Sequence, residues 1–412
     1  MEKLVREKVD SILSLEDALA LLTSFDTDLP EKLISINEAV NRVAATDLTA
    51  AINVPEFPRS RVDGYALSKS DLTKELPFSL KKTTLIAAGD KGNYVLEAGN
   101  TIKIMTGAPL PLNTDLVIKQ EEVEEGLTDI TITKLPQPKA NLELTGSLVK
   151  KGQNLITKGQ VYNPMLIEQL GKTGRNKVLV YERPTVYVVN SGSELVLPGS
   201  SLEYGEIYNS NQSLFLSLLK LAGCNVIKGE GQLADNMDLI KAEISKGLQV
   251  SDILIITGGN SEGDYDLIPA ALRQLGAKIM VDGLDLRPGN KTVVANLENK
   301  LIFNVSGNPQ AGYILFNILI HPVIRRLQGM KAPLNSWFNI PLYKDAKNIK
   351  QVRYFTRGLL IEDQQQLAAL ILRKKEIDYK VDNKIKIVAP LILDIPSNVG
   401  KAGEYIKATI LS

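Results

Sequence analysis

The hydrophobic pattern of the chain is clearest in three uninterrupted apolar runs, each stopped by small residues. Thr185-Val186-Tyr187-Val188-Val189-Asn190 ends in Ser191-Gly192-Ser193-Glu194. Ile253-Leu254-Ile255-Ile256-Thr257 stops at Gly258-Gly259 and passes into Asn260-Ser261-Glu262-Gly263-Asp264-Tyr265-Asp266. Leu301-Ile302-Phe303-Asn304-Val305 stops at Ser306-Gly307-Asn308-Pro309, before a long helical pattern. Helical spacing is also evident over Gln212–Ala222, preceded by Asn209-Ser210-Asn211, and over Met237–Gly247. Continuous apolar runs alternating with helices are the pattern of strands buried on both faces of a parallel sheet. In such sheets ligands sit beyond the carboxyl ends of the strands, so the turns at Gly258-Gly259 and Ser306-Gly307-Asn308-Pro309 are predicted to form the floor of a site.

The flanking segments read differently. Ser14 to Phe25 has leucines at helical spacing, with Ser14 placed to cap and Glu16 and Asp17 just inside. Leu33 to Ala51 predicts a strand followed by a short helix over Ile36–Val43. Val54-Pro55-Glu56-Phe57-Pro58-Arg59-Ser60-Arg61-Val62-Asp63-Gly64 has the composition of a loop ending in an Asp-Gly turn. From Phe78 to Lys134, short β runs broken by Gly, Pro, Asn and Asp predict a small β-rich insert, for which a barrel is one closure. Asn163-Pro164 opens a helix that Gly171 is expected to terminate. From Val352 onward strand-like segments predict a small C-terminal β domain.

The expected fold is therefore α/β and β, multidomain. It has a central doubly wound parallel α/β domain over 183–328, a β-rich insert over 46–144 and a C-terminal β domain over 329–412. Residues 1–45 with 145–182 remain.

Composition narrows the chemistry more than the fold. The chain has 412 residues, with 48 Lys and Arg against 47 Asp and Glu. Such a balance provides no field for nucleic acid or an anionic membrane, so anion binding has to be local. The single cysteine, Cys224, has no disulfide or thiolate partner, and the single histidine, His321, precedes Pro322 in an apolar helical run. The count leaves no histidine zinc site, and the placement of Cys224 and His321 in helical, apolar stretches argues against a Ser-His-Asp triad or a Cys-His pair. The charged start, Met1 to Glu7, lacks the apolar core of a signal peptide and no stretch is long enough to span a bilayer, so a cytoplasmic protein is expected.

Carboxylates, hydroxyls, amides and cations remain. Glu194, Asp264 and Asp266 follow apolar runs and suit a hard cation such as Mg²⁺; Asp and Ser also populate such turns as caps, so the carboxylates alone do not decide the matter. Gly258-Gly259 and Ser306-Gly307-Asn308-Pro309 place free amides where helices begin, which favours phosphate. Arg287 and Lys291, in Arg287-Pro288-Gly289-Asn290-Lys291, are able to clamp an oxyanion or to sit in a solvated turn.

Nine segments in the same order, Val62-Asp63-Gly64-Tyr65-Ala66, Met105-Thr106-Gly107-Ala108-Pro109-Leu110-Pro111, Gln120-Glu121, Ser191-Gly192-Ser193-Glu194-Leu195, Asn209-Ser210-Asn211, Thr257-Gly258-Gly259, Gly263-Asp264-Tyr265-Asp266, Arg287-Pro288-Gly289 and Gly307-Asn308-Pro309, together resemble the molybdopterin molybdenumtransferase family, which includes MoeA and the gephyrin E domain. The resemblance spans essentially the whole chain. It implies an elongated homodimer of four-domain subunits, with the site between the α/β domain of one subunit and the insert of the other. For residues 1–45 with 145–182 it implies an N-terminal linker or dimer domain. It also implies Mg²⁺-dependent insertion of molybdate into adenylylated molybdopterin with release of AMP. Molybdoenzymes and the upstream adenylyltransferase are the further partners it suggests.

By the same resemblance, Asp63, Thr106, Glu194, Asp264 and Arg287 are the expected catalytic residues, Glu194 and Asp264 also being the metal ligands. Gly258, Gly259, Ser261, Asp266, Lys291, Ser306, Gly307 and Asn308 are the expected cofactor-binding residues. The chain departs from the family pattern at Ser193, Asn290 and Ser306, and at Gln153-Asn154 where acidic residues are usual. These departures keep a second expectation open: a catalytically altered paralogue that binds the cofactor or scaffolds a partner.

Overall fold

The computed structural model describes residues 12–25, 29–233, 236–259, 267–345, 352–372, 385–396 and 400–411. They fall into two compact units, Met1–Lys32 with Val180–Ser412, and Leu33–Leu179.

The first unit is built on a six-stranded sheet. Its strands are β1 (Thr185–Ser191), β2 (Asn225–Leu233), β3 (Ile253–Thr257), β4 (Lys278–Asp282), β5 (Val293–Leu297) and β6 (Lys300–Val305), in the order β2-β1-β3-β6-β5-β4. β2, β1, β3 and β6 run parallel, whereas β5 is antiparallel to both of its neighbours. The sheet is thus parallel where the three apolar runs lie and mixed at one edge. A single antiparallel strand is compatible with two covered faces, because β5 and β6 connect by the short turn Glu298-Asn299 rather than by a helix.

Both faces are covered. Val186, Val188, Ile253, Ile255, Leu301 and Phe303 pack toward the helix Leu15–Thr23, toward α1 (Ser210–Leu221), and toward the long helical segment that begins with α4 (Pro309–Leu315). Tyr187, Val189, Leu254, Ile256 and Ile302 pack toward α2 (Met237–Val250) and α3 (Leu267–Gln274). Period-two alternation sends neighbouring residues to opposite faces, so strands with two buried faces need no polar positions. The chain leaves β1 toward β2 on one side and returns to β3 on the other. The β1/β3 boundary is therefore the switch point of the sheet, where ligands of such folds bind.

A second, antiparallel sheet of five strands closes the first unit, in the order Phe338–Pro341, Tyr405–Ile410, Lys386–Ile395, Tyr354–Asp363, Gln366–Ile371. It has its own core of Ile340, Leu391, Leu393, Ile406 and neighbours, as the strand-like pattern after Val352 predicts.

The second unit carries a six-stranded sheet in the order Thr114–Lys119, Gly64–Ser68, Asn100–Ile104, Phe78–Ile86, Asp129–Ile132, Glu124–Glu125. This order is linear, that of an open sheet rather than a barrel. Gly64 is not in a turn but begins a central strand, paired on both sides, and a Cβ there would lie 2.0 Å from the carbonyl oxygen of Ile118. Close backbone approach, not turn geometry, explains this glycine.

Local signals elsewhere hold with small shifts. Ser14 caps Leu15–Thr23 through the amide of Asp17, and Asn163 caps Pro164–Lys172 through that of Leu166. Gly171 lies inside that helix, and the left-handed glycine beyond its end is Gly174, with φ 78°. The short helix expected over Ile36–Val43 is a single 3₁₀ turn, Ile36–Glu38.

Candidate functional site

The register of the three parallel strands sets three turns side by side. Asn190 pairs with Thr257, and Thr257 with Val305, so the chain leaves the sheet on one level at Ser191, Gly258 and Ser306. The Gly258 amide donates to the carbonyl of Val305 at 2.9 Å. Gly258 has φ 88°, and a Cβ on it would stand 2.3 Å from the Ser191 carbonyl oxygen. Only glycine satisfies both conditions. In the third turn the Asn308 side-chain oxygen accepts from the Gln310 amide at 2.9 Å and caps α4, whose first residue is Pro309. Asn308 N–H in turn donates to Ser306 Oγ at 3.2 Å.

Three asparagines tie these turns from below. Asn304 Nδ2 donates to the Gly258 carbonyl at 2.8 Å, Asn190 Nδ2 to Thr257 Oγ1 at 2.5 Å, and Asn211 Nδ2 to the Gly307 carbonyl at 2.7 Å. All three residues are buried, and among the described residues their Oδ1 atoms have no hydrogen-bond partner. Asn211 belongs to the Asn209-Ser210-Asn211 segment that the sequence singles out, whereas Asn190 and Asn304 are visible in the sequence only as the polar members of apolar runs.

Above the floor opens a cavity of about 740 Å³, within the range of small-molecule sites. Its lining includes Ser191, Gly192 and Glu194 from the first turn, Gly258 and Gly259 from the second, and Ser306, Gly307 and Asn308 from the third. A wall is formed by Arg287, Pro288, Gly289, Asn290, Lys291 and Thr292, with Tyr354 from the C-terminal sheet. The structure thus gathers Glu194, Arg287, Lys291, Gly258, Gly259, Ser306, Gly307 and Asn308 in one place. Ser261, Asp264 and Asp266 lie outside the described residues. Tyr354 and Thr292 are lining residues that the turn and strand patterns did not signal.

The cavity is chemically suited to a polyanion. It combines amide-bearing glycine turns with two cations and, among the described residues, one carboxylate, Glu194. No group of three potential metal-ligating side chains occurs among the described residues. An oxygen donor set of one or two carboxylates, completed by phosphate and water, is nevertheless the usual environment of Mg²⁺.

Asp63 and Thr106 belong to the other unit. Asp63 Oδ1 accepts from both the amide and the hydroxyl of Thr106, each at 2.7 Å. The backbone bond first, and then the hydroxyl, hold the Asp63 carboxyl below its ordinary range. In the same unit Gln153 accepts from the Lys150 amide at 3.1 Å, and Asn154 Nδ2 donates to Thr157 Oγ1 at 3.1 Å. The uncharged pair at 153 and 154 therefore organises its own turns.

Neither lone residue type enters the cavity. Cys224 is buried and its thiol is pushed up to about 12 by desolvation. His321 stacks on Phe316 with ring centroids 5.7 Å apart, and burial, with Arg325 nearby, lowers its pKa to about 4.

Comparison with known proteins gives two family matches: the MoeA N-terminal region, domains I and II, over residues 13–174, and a probable molybdopterin-binding domain over 187–326. The chain is 32% identical to a molybdopterin molybdenumtransferase of Staphylococcus epidermidis, covering 78% of this chain and 77% of that one. It is 30% identical to the Bacillus subtilis protein of the same name, covering 87% and 84%. Among solved structures, a molybdopterin biosynthesis MoeA protein from Pyrococcus horikoshii matches 97% of this chain and 99% of its own, at 28% identity and a TM-score of 0.77.

Proposed function

The chain belongs to the molybdopterin molybdenumtransferase family, and on that premise we propose that it inserts molybdate into adenylylated molybdopterin with release of AMP in a Mg²⁺-dependent reaction. The observation that carries this is the switch-point cavity, where three amide-bearing turns meet Arg287 and Lys291. In this reading Gly258, Gly259, Ser306, Gly307 and Asn308 bind the substrate's phosphates through backbone and side-chain donors. Arg287, which offers a planar fork, and Lys291, a point charge, oppose the negative charge of the phosphoanhydride.

Glu194 with Asp264 would hold Mg²⁺, which neutralises charge on the phosphates that are cleaved. Asp266 and Ser261 complete the phosphate side. Asp63, held ionised by Thr106, acts with Thr106 on the same substrate. Because Asp63 and Thr106 lie in the second unit, the proposal includes a homodimer of four-domain subunits in which the insert of one protomer completes the cavity of the other. No helix among the described residues is long and apolar enough to cross a membrane, which is compatible with the cytoplasmic location proposed for the enzyme. Molybdoenzymes and the upstream adenylyltransferase are the proposed further partners.

The test is AMP release from adenylylated molybdopterin and Mg²⁺, with and without molybdate, beside Asp63→Ala. Release that requires molybdate and is lost in the variant supports the proposal. Pterin binding without release would instead favour a binding or scaffold protein, the reading to which Asn290 in the cavity wall lends weight.

A further inference from the structure

The C-terminal sheet contributes one residue, Tyr354, to the lining of the cavity. Strand Tyr354–Asp363 begins beside Arg287: the Arg287 amide donates to the Arg353 carbonyl at 3.0 Å, and the Phe355 amide donates to the Arg287 carbonyl at 2.7 Å. This short ladder attaches the first residues of the C-terminal sheet to the segment that carries a cavity cation.

The residues on either side of Tyr354 are fixed. Arg353 is held by Glu16, through Nη1 at 2.8 Å and Nη2 at 2.9 Å, and by Asp394, through Nη2 at 2.7 Å. Its guanidinium lies 5.0 Å from the centroid of the Phe355 ring, which is itself fully buried and packed edgewise on Trp337. Alternation along a strand turns residue 354 to the opposite face from 353 and 355. There Tyr354 lines the cavity, 41% exposed, and it contributes the one aromatic ring among the described lining residues.

We infer that Tyr354 is a stacking platform for the fused nitrogen heteroaromatic ring of a phosphate-bearing ligand in this cavity, and that supplying it is a function of the C-terminal domain. The physical reason is complementary chemistry. The glycine turns and the two cations recognise phosphate but give no flat apolar surface, whereas a phosphorylated heterocycle needs both. With the backbone fixed on both sides, only the two side-chain torsions of a tyrosine have to be ordered on stacking, which keeps the ordering cost small. The inference rests on the phosphate-binding reading of the cavity. It applies to an adenine or a pterin ring, both of which present the required π-face.

The test measures binding of three probes, pyrophosphate, AMP and a pterin carrying a phosphomethyl group at C6, to the full chain, Tyr354→Ala and Tyr354→Phe. Pyrophosphate binding that is unchanged in Tyr354→Ala, with roughly ten-fold or greater loss for a ring-bearing probe and retention in Tyr354→Phe, is the expected result. Whether AMP or the pterin suffers the loss identifies the ring. Equal loss for all three probes would show a merely structural role and overturn the inference, as would ring-bearing probes bound normally by Tyr354→Ala or lost in Tyr354→Phe. Failure of the wild-type protein to bind any probe would overturn the cavity reading, and this inference with it.

Discussion

Thr106 donates twice to a single oxygen of Asp63, once from its amide and once from its hydroxyl, both at 2.7 Å. Two short donors on one oxygen stabilise the ionised form and fix the direction of the other oxygen. Because the Asp63 carboxyl is held low in the fold, its contribution to stability is present above the unfolded value of about 4. That contribution is lost as pH falls through the lower folded value. Thr106→Val keeps the amide and removes the hydroxyl. The Asp63 carboxyl should then titrate higher, while staying below an ordinary Asp, in a carbon-13 NMR titration. An unchanged titration would mean that the amide alone holds it.

The glycine at the switch point should be the least replaceable residue of the floor. Gly258→Ala adds a Cβ facing the Ser191 carbonyl at 2.3 Å, at a φ of 88°. A cost of about 1–3 kcal/mol is expected from the backbone alone, readable as a lowered urea midpoint. Pyrophosphate binding should fall further than stability does, because the displaced turn carries the phosphate-facing amides.

The two cavity cations should behave differently. A charge-assisted contact is worth about 1.5–3 kcal/mol, so Arg287→Ala is expected to weaken pyrophosphate binding by roughly 10- to 100-fold. Arg287→Lys should recover only part of this, since the planar fork is lost. Lys291→Ala should weaken binding less, with a shallower dependence on salt. Calorimetry across a salt series measures both, and equal effects of the two alanine variants would refute the distinction.

His321 sets an acid limit on stability. It is the chain's single histidine, and burial lowers its pKa to about 4 in the fold against about 6.5 unfolded. Between these values the unfolded chain takes up a proton that the folded protein refuses. Stability should therefore fall with decreasing pH by up to about 1.4 kcal/mol per pH unit over that window, and this term should be absent above it. His321→Gln should flatten the pH dependence of the urea midpoint between about pH 6 and 4. The one histidine ring signal in proton NMR should titrate well below the ordinary range.

The three apolar runs were legible in the sequence because strands buried on two faces carry no polar requirement and stand out as unbroken stretches. The caps at Ser14 and Asn163 were legible for a similar reason, since a cap is a local bond within a few residues, whereas the cap formed by Asn308 emerges only in the structure. The turns at Gly258-Gly259 and Ser306-Asn308 followed from where those runs end, and so did most of the cavity floor. Gly64 was misjudged, because a glycine required by a neighbouring strand looks the same in sequence as one required by a turn. Asn190 and Asn304 carry no signal of their own within the apolar runs, although each supports the floor from within the core.

By itself, then, the sequence determined what short range can encode: which segments are strands or helices, where they cap, and which turns carry small residues and charge. Tertiary structure alone decided that β1 and β3 are neighbours at the switch point, so that turns from distant parts of the chain share one floor. It alone also decided that Tyr354 stands beside Arg287, across more than sixty residues of chain. Such pairings depend on sheet order and on which faces find burial together, and these are properties of the whole core rather than of any one segment.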